Sequence, residues 1–475
     1  MKSNRGNKAI LVSAYFFMAI MLYILGNFIF LLLFKAEDVI NNPYNKRSAV
    51  IENKVLRGNI YSADNKLLAT TIENEDGTVT RFYPYGEIYA HVIGRYDKGK
   101  TGIESSHNFE LLRVDKYSRE VLKNEIYGIR SKGYDVVTTL DSTLSSTAYD
   151  LLDDKKGAIV IIEPKTGRIL TMVSAPSYDP NTIIDDWDEL VDENNKEVNS
   201  SLLNRAVNGL YPPGSTFKIV MAMEYIMENK NEYDKYTFYC DGKTQYEKNN
   251  ISCYNNKRHK TVDLYKSLAY SCNTSFSNIA MNVDLSRLKD LCEALGYNKA
   301  LENQIISFTP GSFELNKDST QWDIIQTSIG QGKTTITPFQ NALIMCAIAN
   351  DGKLVYPYVA SELIDDQKNV VKDYKSGKTI ELIDSYVAGE IKELLKGVVE
   401  IGTANSLKSN EYQVFGKTGS AEYGIDGKAH GWFVGCVQSD EKESIVITVL
   451  VEDGKTGKES AVPIAKELIE IYMGQ

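Results

Sequence analysis

The chain has 475 residues, with 53 Lys+Arg against 63 Asp+Glu and a formal charge of −10; this acidic balance excludes nucleic acid as the main partner, because phosphate binding needs a basic surface. With 43% apolar and 24% charged residues the sequence is neither disordered nor fibrous, and its length exceeds the roughly 150-residue domain scale by enough for two folded units. Proline and glycine show no period, which excludes solenoid and coiled-coil arrays.

Residues 9–34 form an uncharged, mostly apolar run, bounded by Lys2, Arg5 and Lys8 on one side and Lys35, Glu37 and Asp38 on the other. Crossing a bilayer takes about 20 apolar residues, whereas a cleaved signal has an apolar core of only about 7–15. No small-residue cleavage site follows, so the run is expected to be an uncleaved transmembrane anchor. Early positive charges stay on the cytoplasmic side, which leaves residues 1–8 as a cytoplasmic tail and sends everything after the anchor to the far side of the membrane. Residues 35–150 are polar and broken by turns at Ala63-Asp64-Asn65, Asp76-Gly77 and Gly99, with β-like stretches such as 78–83. They read as a small, extended, β-rich pedestal.

From residue 151 to 475 the pattern changes to an α+β domain. Residues 157–163 and 168–174 are strand-like runs joined by Pro164-Lys165-Thr166-Gly167, a hairpin. Three more strand-like runs occur near the end, at 413–423, 431–437 and 444–452, before an amphipathic helix at 464–473. Between them the periodicity is helical: Phe276, Ile279, Ala280 and Val283 share a face, as do Leu288, Leu291, Cys292 and Leu295, and Thr337-Pro338 caps a further helix. The simplest assembly is one antiparallel sheet, five strands drawn from both ends of the domain, flanked by the helices.

Six cysteines, at 240, 253, 272, 292, 346 and 436, are too sparse to staple the fold. Cys292 and Cys346 fit buried thiols. Cys240 and Cys253 flank a polar loop and could pair, which spacing alone does not establish. There is no CxxC, HExxH or His-rich cluster, and the four histidines are far apart in the chain; neither a metal site nor a cofactor is expected.

Pro212-Pro213-Gly214 imposes a tight turn, and the following segment from Ser215 is apolar on nearly every side, the mark of a buried helix. Ser215 should lie in its first turn, where unpaired N–H groups and the dipole favour an oxyanion. Lys218, one turn on, shares its face, and burial lowers a lysine pKa until the amine can act as a base for a hydroxyl nucleophile. Ser-x-x-Lys recurs at Ser286/Lys289 and Ser439/Lys442, Ser-x-Asn at Ser106/Asn108, and Lys-Thr-Gly at Lys100, Lys165 and Lys455, so each triplet alone is noise. Context discriminates. Only Ser215 opens an apolar helix after a Pro-Gly turn, only Ser271-Cys272-Asn273 lies between two helical patterns, and only Lys417-Thr418-Gly419-Ser420 lies in a C-terminal strand.

With S-x-x-K, S-x-N and K-T-G in this order, the sequence resembles the penicillin-recognising serine enzymes, and among them the monofunctional class B penicillin-binding proteins. The likeness extends to Arg57-Gly58, Gly102-Ile103-Glu104, Tyr178-Asp179-Pro180-Asn181, Gly330-Gln331-Gly332 and Gly431-Trp432-Phe433-Val434-Gly435. It implies a peptidoglycan D,D-transpeptidase: Ser215 attacks the stem peptide between its last two D-alanines, Lys218 takes the serine proton, and Ser271 relays a proton to the leaving amine. Asn273 would hold the substrate amide and steady Lys218. Lys417 would supply positive charge and help keep Lys218 neutral, Thr418 and Ser420 would grip the carboxylate, and Gly419 would keep the strand edge open for substrate. The oxyanion hole would be the backbone N–H groups of Ser215 and Ser420, and β-lactams would be inhibitors that stop after acylation. The segment before the catalytic domain is too short for a glycosyltransferase, so glycan polymerisation is expected to be absent, and a polytopic glycan polymerase of the shape and division family is the implied partner. A β-lactam sensor, a D,D-carboxypeptidase or β-lactamase, and a silent scaffold are the alternatives; one span and eight cytoplasmic residues speak against a sensor. Cys272 reads as a buried spectator or a thiol that modulates the site, His430 as a turn or packing residue, and Trp432 and Phe433 as core.

Overall fold

The computed structural model describes residues 3–31, 55–113, 123–124, 126–192, 194–195, 200–246, 249–301, 306–375, 377–423 and 428–474. Helix α1, Ser3–Phe30, contains the stretch Ile10–Phe30, which is long and apolar enough to cross a membrane. The side chains of Ile10–Phe30 are exposed without protein cover, as a lipid-facing helix requires. Residues 32–34 of the expected span and 35–54 of the pedestal lie outside the described residues.

The five-stranded sheet has strands β1 (Gly157–Ile162), β2 (Ile169–Ala175), β3 (Gln413–Tyr423), β4 (Lys428–Gln438) and β5 (Ile445–Val451), in spatial order β3-β4-β5-β1-β2, all antiparallel. The first and last parts of the domain therefore meet between β1 and β5, as the run of strand signals at both ends predicts. Every residue of β1, β2 and β5 is buried, so both faces are covered by helices. Helix α4, Pro338–Ala349, whose twelve residues are all buried, packs on β1, β4 and β5. The C-terminal helix α6, Ala461–Gly474, packs on β4 and β5 beside the helix Ser142–Leu152, which lies on β2. The Thr337 hydroxyl accepts from the Gln340 N–H and Pro338 follows, the N-terminal signal read from sequence.

The site sits where three further elements meet β3. Helix α2, Lys218–Glu228, and helix α3, Asn273–Ala280, run through the core, and helix α5, Ser385–Glu400, packs on β3. Val283 lies beyond the end of α3, so its place in the periodic pattern is made by the loop that follows.

The pedestal strands are short, and their sheet is not local in sequence. Strands 60–61, 67–73, 79–82 and 135–138 are joined by 360–364 and 370–373 from the later part of the chain, with Leu363 opposite Val136. The Thr139 hydroxyl donates to the Ile169 carbonyl of β2 at 2.6 Å, and one continuous apolar core runs through both parts. Within the pedestal Glu104 is fully buried between two guanidinium groups, with Arg57 Nε at 2.5 Å and Arg81 Nε at 2.7 Å. Arg57 also donates to the Asn108 side chain at 2.7 Å. Despite burial, which opposes the charge, the two arginines hold the Glu104 carboxyl below its ordinary value.

Candidate active site

Pro212 and Pro213 fix the chain before Gly214, whose φ of +53° favours glycine and whose absent Cβ would stand 2.8 Å from the Ser420 carbonyl. Ser215 occupies a tight 3-10 turn, Gly214–Phe217, rather than the first turn of the α-helix expected from sequence; α2 begins at Lys218 itself. This turn is clamped from three sides. Gly214 N–H donates to the Gly330 carbonyl at 2.9 Å, and the Trp432 indole donates to the Pro212 carbonyl at 3.0 Å. From the third side, the ideal Cβ of Gly419 would lie 3.0 Å from the Pro213 oxygen and 3.1 Å from Thr216 Cγ2. A side chain at 419 would make the turn give by a few tenths of an ångström, a reason for glycine there besides access to the sheet edge; β3 is the edge strand.

Lys218 is fully buried. Its Nζ donates to Asn273 Oδ1 at 2.7 Å, to the Ser271 carbonyl at 2.8 Å and to Ser271 Oγ at 3.1 Å. Lys417, also fully buried, reaches the same Ser271 Oγ at 3.0 Å and the Thr418 carbonyl at 2.9 Å. Two amines thus converge on one hydroxyl. Burial lowers Lys218 to about 8 against a weaker opposing pull from Cys272 and Cys253. Burial, reinforced by repulsion from Lys218, takes Lys417 well below its ordinary value. The repulsion read from sequence is present, but it falls on Lys417; burial is what primes Lys218.

Ser271 has a left-handed backbone, φ +54°, in the gap between helix Leu264–Ala269 and α3, so its hydroxyl and carbonyl both face Lys218. Asn273 is the first residue of α3, and its Nδ2 donates to the Ser252 carbonyl at 2.8 Å, which fixes the amide orientation. Ser215, Ser271, Asn273, Thr418 and Ser420 line one cavity of about 860 Å³. The structure therefore brings together all eight site positions singled out by sequence, five on the cavity wall and Lys218, Lys417 and Gly419 behind it. Ser286 and Ser439 lie elsewhere, on helix Leu285–Ala294 and in the loop after β4.

Three features escaped the sequence reading. Gly457, in the Lys455-Thr456-Gly457 copy of the triplet, donates through its N–H to the Gly419 carbonyl at 3.1 Å and the Ser420 hydroxyl at 3.3 Å, and Thr456 and Lys458 line the cavity. Thr403 meets Thr418 hydroxyl to hydroxyl at 2.5 Å. Finally, Cys240, Cys253, Cys272 and His259, in which no metal-ligand spacing was apparent along the chain, converge into a group that could hold a metal ion. Cys240 and Cys253 are free thiols with sulfurs 3.7 Å apart, and separation along the chain concealed that His259 joins them. His430 lies within β4, not in a turn, and stacks on Tyr423 with ring centres 4.2 Å apart. Trp432 and Phe433 are fully buried.

Residues 157–470 match the family described as penicillin binding protein transpeptidase domain. The chain belongs to this family. Residues 57–136 match a second family, the penicillin binding protein A dimerisation domain. Among curated relatives of this penicillin-binding transpeptidase, peptidoglycan D,D-transpeptidase PbpA of Mycolicibacterium smegmatis is 29% identical, covering 95% of this chain and 96% of its own. The MrdA enzyme of Acinetobacter baumannii is 28% identical, over 83% of this chain and 66% of its own. Among solved structures, penicillin-binding protein A of M. tuberculosis as its ceftriaxone acyl-enzyme complex superposes with a TM-score of 0.78 at 26% identity, covering 88% of this chain and 98% of that one. The family and the apolar α1 make this a membrane-anchored penicillin-binding protein.

Proposed function

We propose that the protein is a serine-type D,D-transpeptidase that crosslinks peptidoglycan stem peptides and is acylated by β-lactams. The observation that carries this reading is the meeting of two buried lysines at the Ser271 hydroxyl, beside a cavity that Ser215 lines. Ser215 Oγ attacks the carbonyl between the terminal D-alanines while its proton passes to neutral Lys218. The oxyanion is held by the N–H groups of Ser215 and Ser420, each donor worth about 3–4 kcal/mol. Collapse breaks the C–N bond, and a proton delivered from Lys218 through Ser271 lets D-alanine leave as an amine. An amine of a neighbouring stem peptide then attacks the ester, loses a proton and restores the Ser215 hydroxyl. The substrate carboxylate lies against Thr418 and Ser420, and its charge restores the proton on Lys417. Asn273 holds Lys218 through Oδ1 and offers its second amide hydrogen to substrate, the first being engaged by Ser252.

The positive residues Lys2, Arg5 and Lys8 ahead of the apolar run support an extracytoplasmic catalytic domain, with residues 1–8 as tail, 9–34 as anchor, 35–150 as pedestal and 151–475 as transpeptidase domain. The pedestal holds the site away from the bilayer and offers a surface to a polytopic glycan polymerase. Co-purification with such a polymerase should be lost when residues 1–150 are exchanged, and an unchanged yield removes that partner. For the chemistry, the wild type should gain the mass of one penicillin and label with a fluorescent penicillin, and Ser215→Ala should do neither. Labelling of Ser215→Ala would exclude this nucleophile, and stem peptides that are trimmed but never joined would redirect the reading to a carboxypeptidase.

A further inference from the structure

Beside the catalytic cavity, the segment between α2 and α3 folds into a small lobe of four short strands: Phe238–Cys240 pairs with Lys260–Val262, and Lys243–Tyr246 pairs with Asn249–Ser252. Besides Cys240, the lobe's strands bury only two apolar side chains, Ile251 and Val262. Its buried cluster consists of Cys240, Cys253 and Cys272, with only Phe238 packed against it. A β lobe of this size is not expected to hold its shape by burial alone and needs a staple.

The four side chains at its centre have the geometry of one. Cys253 Sγ lies 3.7 Å from Cys240 Sγ and 3.7 Å from Cys272 Sγ, Cys240 Sγ lies 3.5 Å from His259 Nδ1, and all four atoms are within 4.8 Å of one another. A tetrahedral zinc with Zn–S near 2.3 Å and Zn–N near 2.0–2.1 Å requires S–S edges of about 3.75 Å and S–N edges of about 3.6 Å. Three of the six edges, Cys253–Cys240, Cys253–Cys272 and Cys240–His259, have these lengths, and the other three lie within 4.8 Å. A disulfide would use two of the three sulfurs and leave the third and the imidazole without a role, whereas one cation uses all four. The His259 ring is already oriented by stacking on Tyr270, with centres 5.6 Å apart and planes 15° apart.

We propose that Cys240, Cys253, His259 and Cys272 form a structural Cys3His zinc site that fixes the Ser271–Asn273 loop of the catalytic centre. Three thiolates and one imidazole are the soft, tetrahedral donor set that selects zinc, and four protein ligands leave no open position for catalysis. Binding releases the three thiol protons to solvent. Cys272 is the residue between Ser271 and Asn273, the two partners of Lys218 Nζ, and Ser252, whose carbonyl holds the Asn273 amide, immediately precedes Cys253. The metal therefore anchors both sides of the loop, and its ligands act as positioning residues.

The test uses the full-length chain in detergent, produced reduced and without a polyhistidine tag. Elemental analysis by plasma mass spectrometry should find about one zinc per chain. Cys253→Ser and His259→Ala should each fall below about one-tenth of that, while Ser215→Ala retains it. In case a ligand variant fails to fold, wild type stripped by a chelator should show a lower Tm and at least about tenfold slower penicillin acylation, both restored by zinc and not by magnesium. Wild type with no zinc and no thermal response to added zinc overturns the proposal, as does a mass showing two of the cysteines oxidised to a disulfide with metal absent. Zinc that persists in both ligand variants places the metal elsewhere, and zinc whose removal leaves acylation unchanged overturns the positioning role. Metal content is read without any β-lactam, so the transpeptidase reading and the zinc site fail separately.

Discussion

Gly330→Ala tests whether the nucleophile turn is held by backbone contact at a distance from the chemistry. Gly330 has φ +73° and faces Gly214: a Cβ there would lie 1.9 Å from the Gly214 oxygen and 2.6 Å from its carbonyl carbon. An ordinary carbon–oxygen contact is about 3.4 Å, so the two segments must part by roughly 1.5 Å. That movement breaks the 2.9 Å bond from Gly214 N–H to the Gly330 carbonyl and displaces the turn carrying Ser215. A misplacement of about 1 Å in a reacting group costs on the order of 100-fold in rate, equivalent to about 2.7 kcal/mol in the barrier. The second-order rate constant for acylation by a fluorescent penicillin, measured by stopped flow, should fall by about that factor. Gly332→Ala is the internal control. It carries the same kind of backbone strain, φ +78°, but its Cβ would touch only Gln326, at 3.6 Å. Both alanines bear the roughly 1–2 kcal/mol of the left-handed conformation, and only the first should lose acylation. A Gly330→Ala enzyme within threefold of wild type, or a Gly332→Ala enzyme equally slow, would refute the reasoning.

The lowered Lys218 value makes the neutral base scarcer as pH falls, so acylation should rise about tenfold per pH unit below about 8 and level off above it; a flat profile between pH 6 and 9 for a β-lactam that does not itself titrate there would remove Lys218 as the base. Glu104→Gln leaves Arg57 and Arg81 buried beside a neutral group and should destabilise the pedestal by about 3–5 kcal/mol, seen as an earlier calorimetric transition. Because the folded Glu104 value is lowered, its contribution is complete above the ordinary 4.5 and lost as pH falls through the folded value, so wild type should soften in acid while the Gln variant shows no matching loss. Trp432→Phe removes the donor to the Pro212 carbonyl, which should cost about 1–3 kcal/mol and slow acylation while leaving the sheet intact by circular dichroism; unaltered acylation would show that the indole does not hold the turn.

Local order carried much of this reading. The anchor, the hairpin at 157–174, the C-terminal strands and the Thr337-Pro338 cap are legible because each is stabilised by residues close in sequence, through periodicity, turn chemistry or capping. The three motif segments could be separated from their copies because strand or helix context is also local. The hairpin inside 243–252 was hidden: Asn249, Asn250 and Lys243 have poor strand propensity, and the pairing is supported by the lobe around it. The 3-10 turn at Ser215 was read as α-helix because both geometries share the same apolar pattern, and the difference comes from β3 and Gly330 pressing on the turn.

By itself the sequence determined which segments become strands and helices and which serine, lysine and asparagine side chains they carry or adjoin, since these depend on interactions within a few residues. Only the tertiary structure decided that 360–373 completes the pedestal sheet, that Gly457 closes over Gly419, that two lysines share one hydroxyl, and that three cysteines and a histidine meet at a point. Those contacts join parts of the chain far apart in sequence, and their distances are set by the packing of whole elements, a quantity no local pattern encodes.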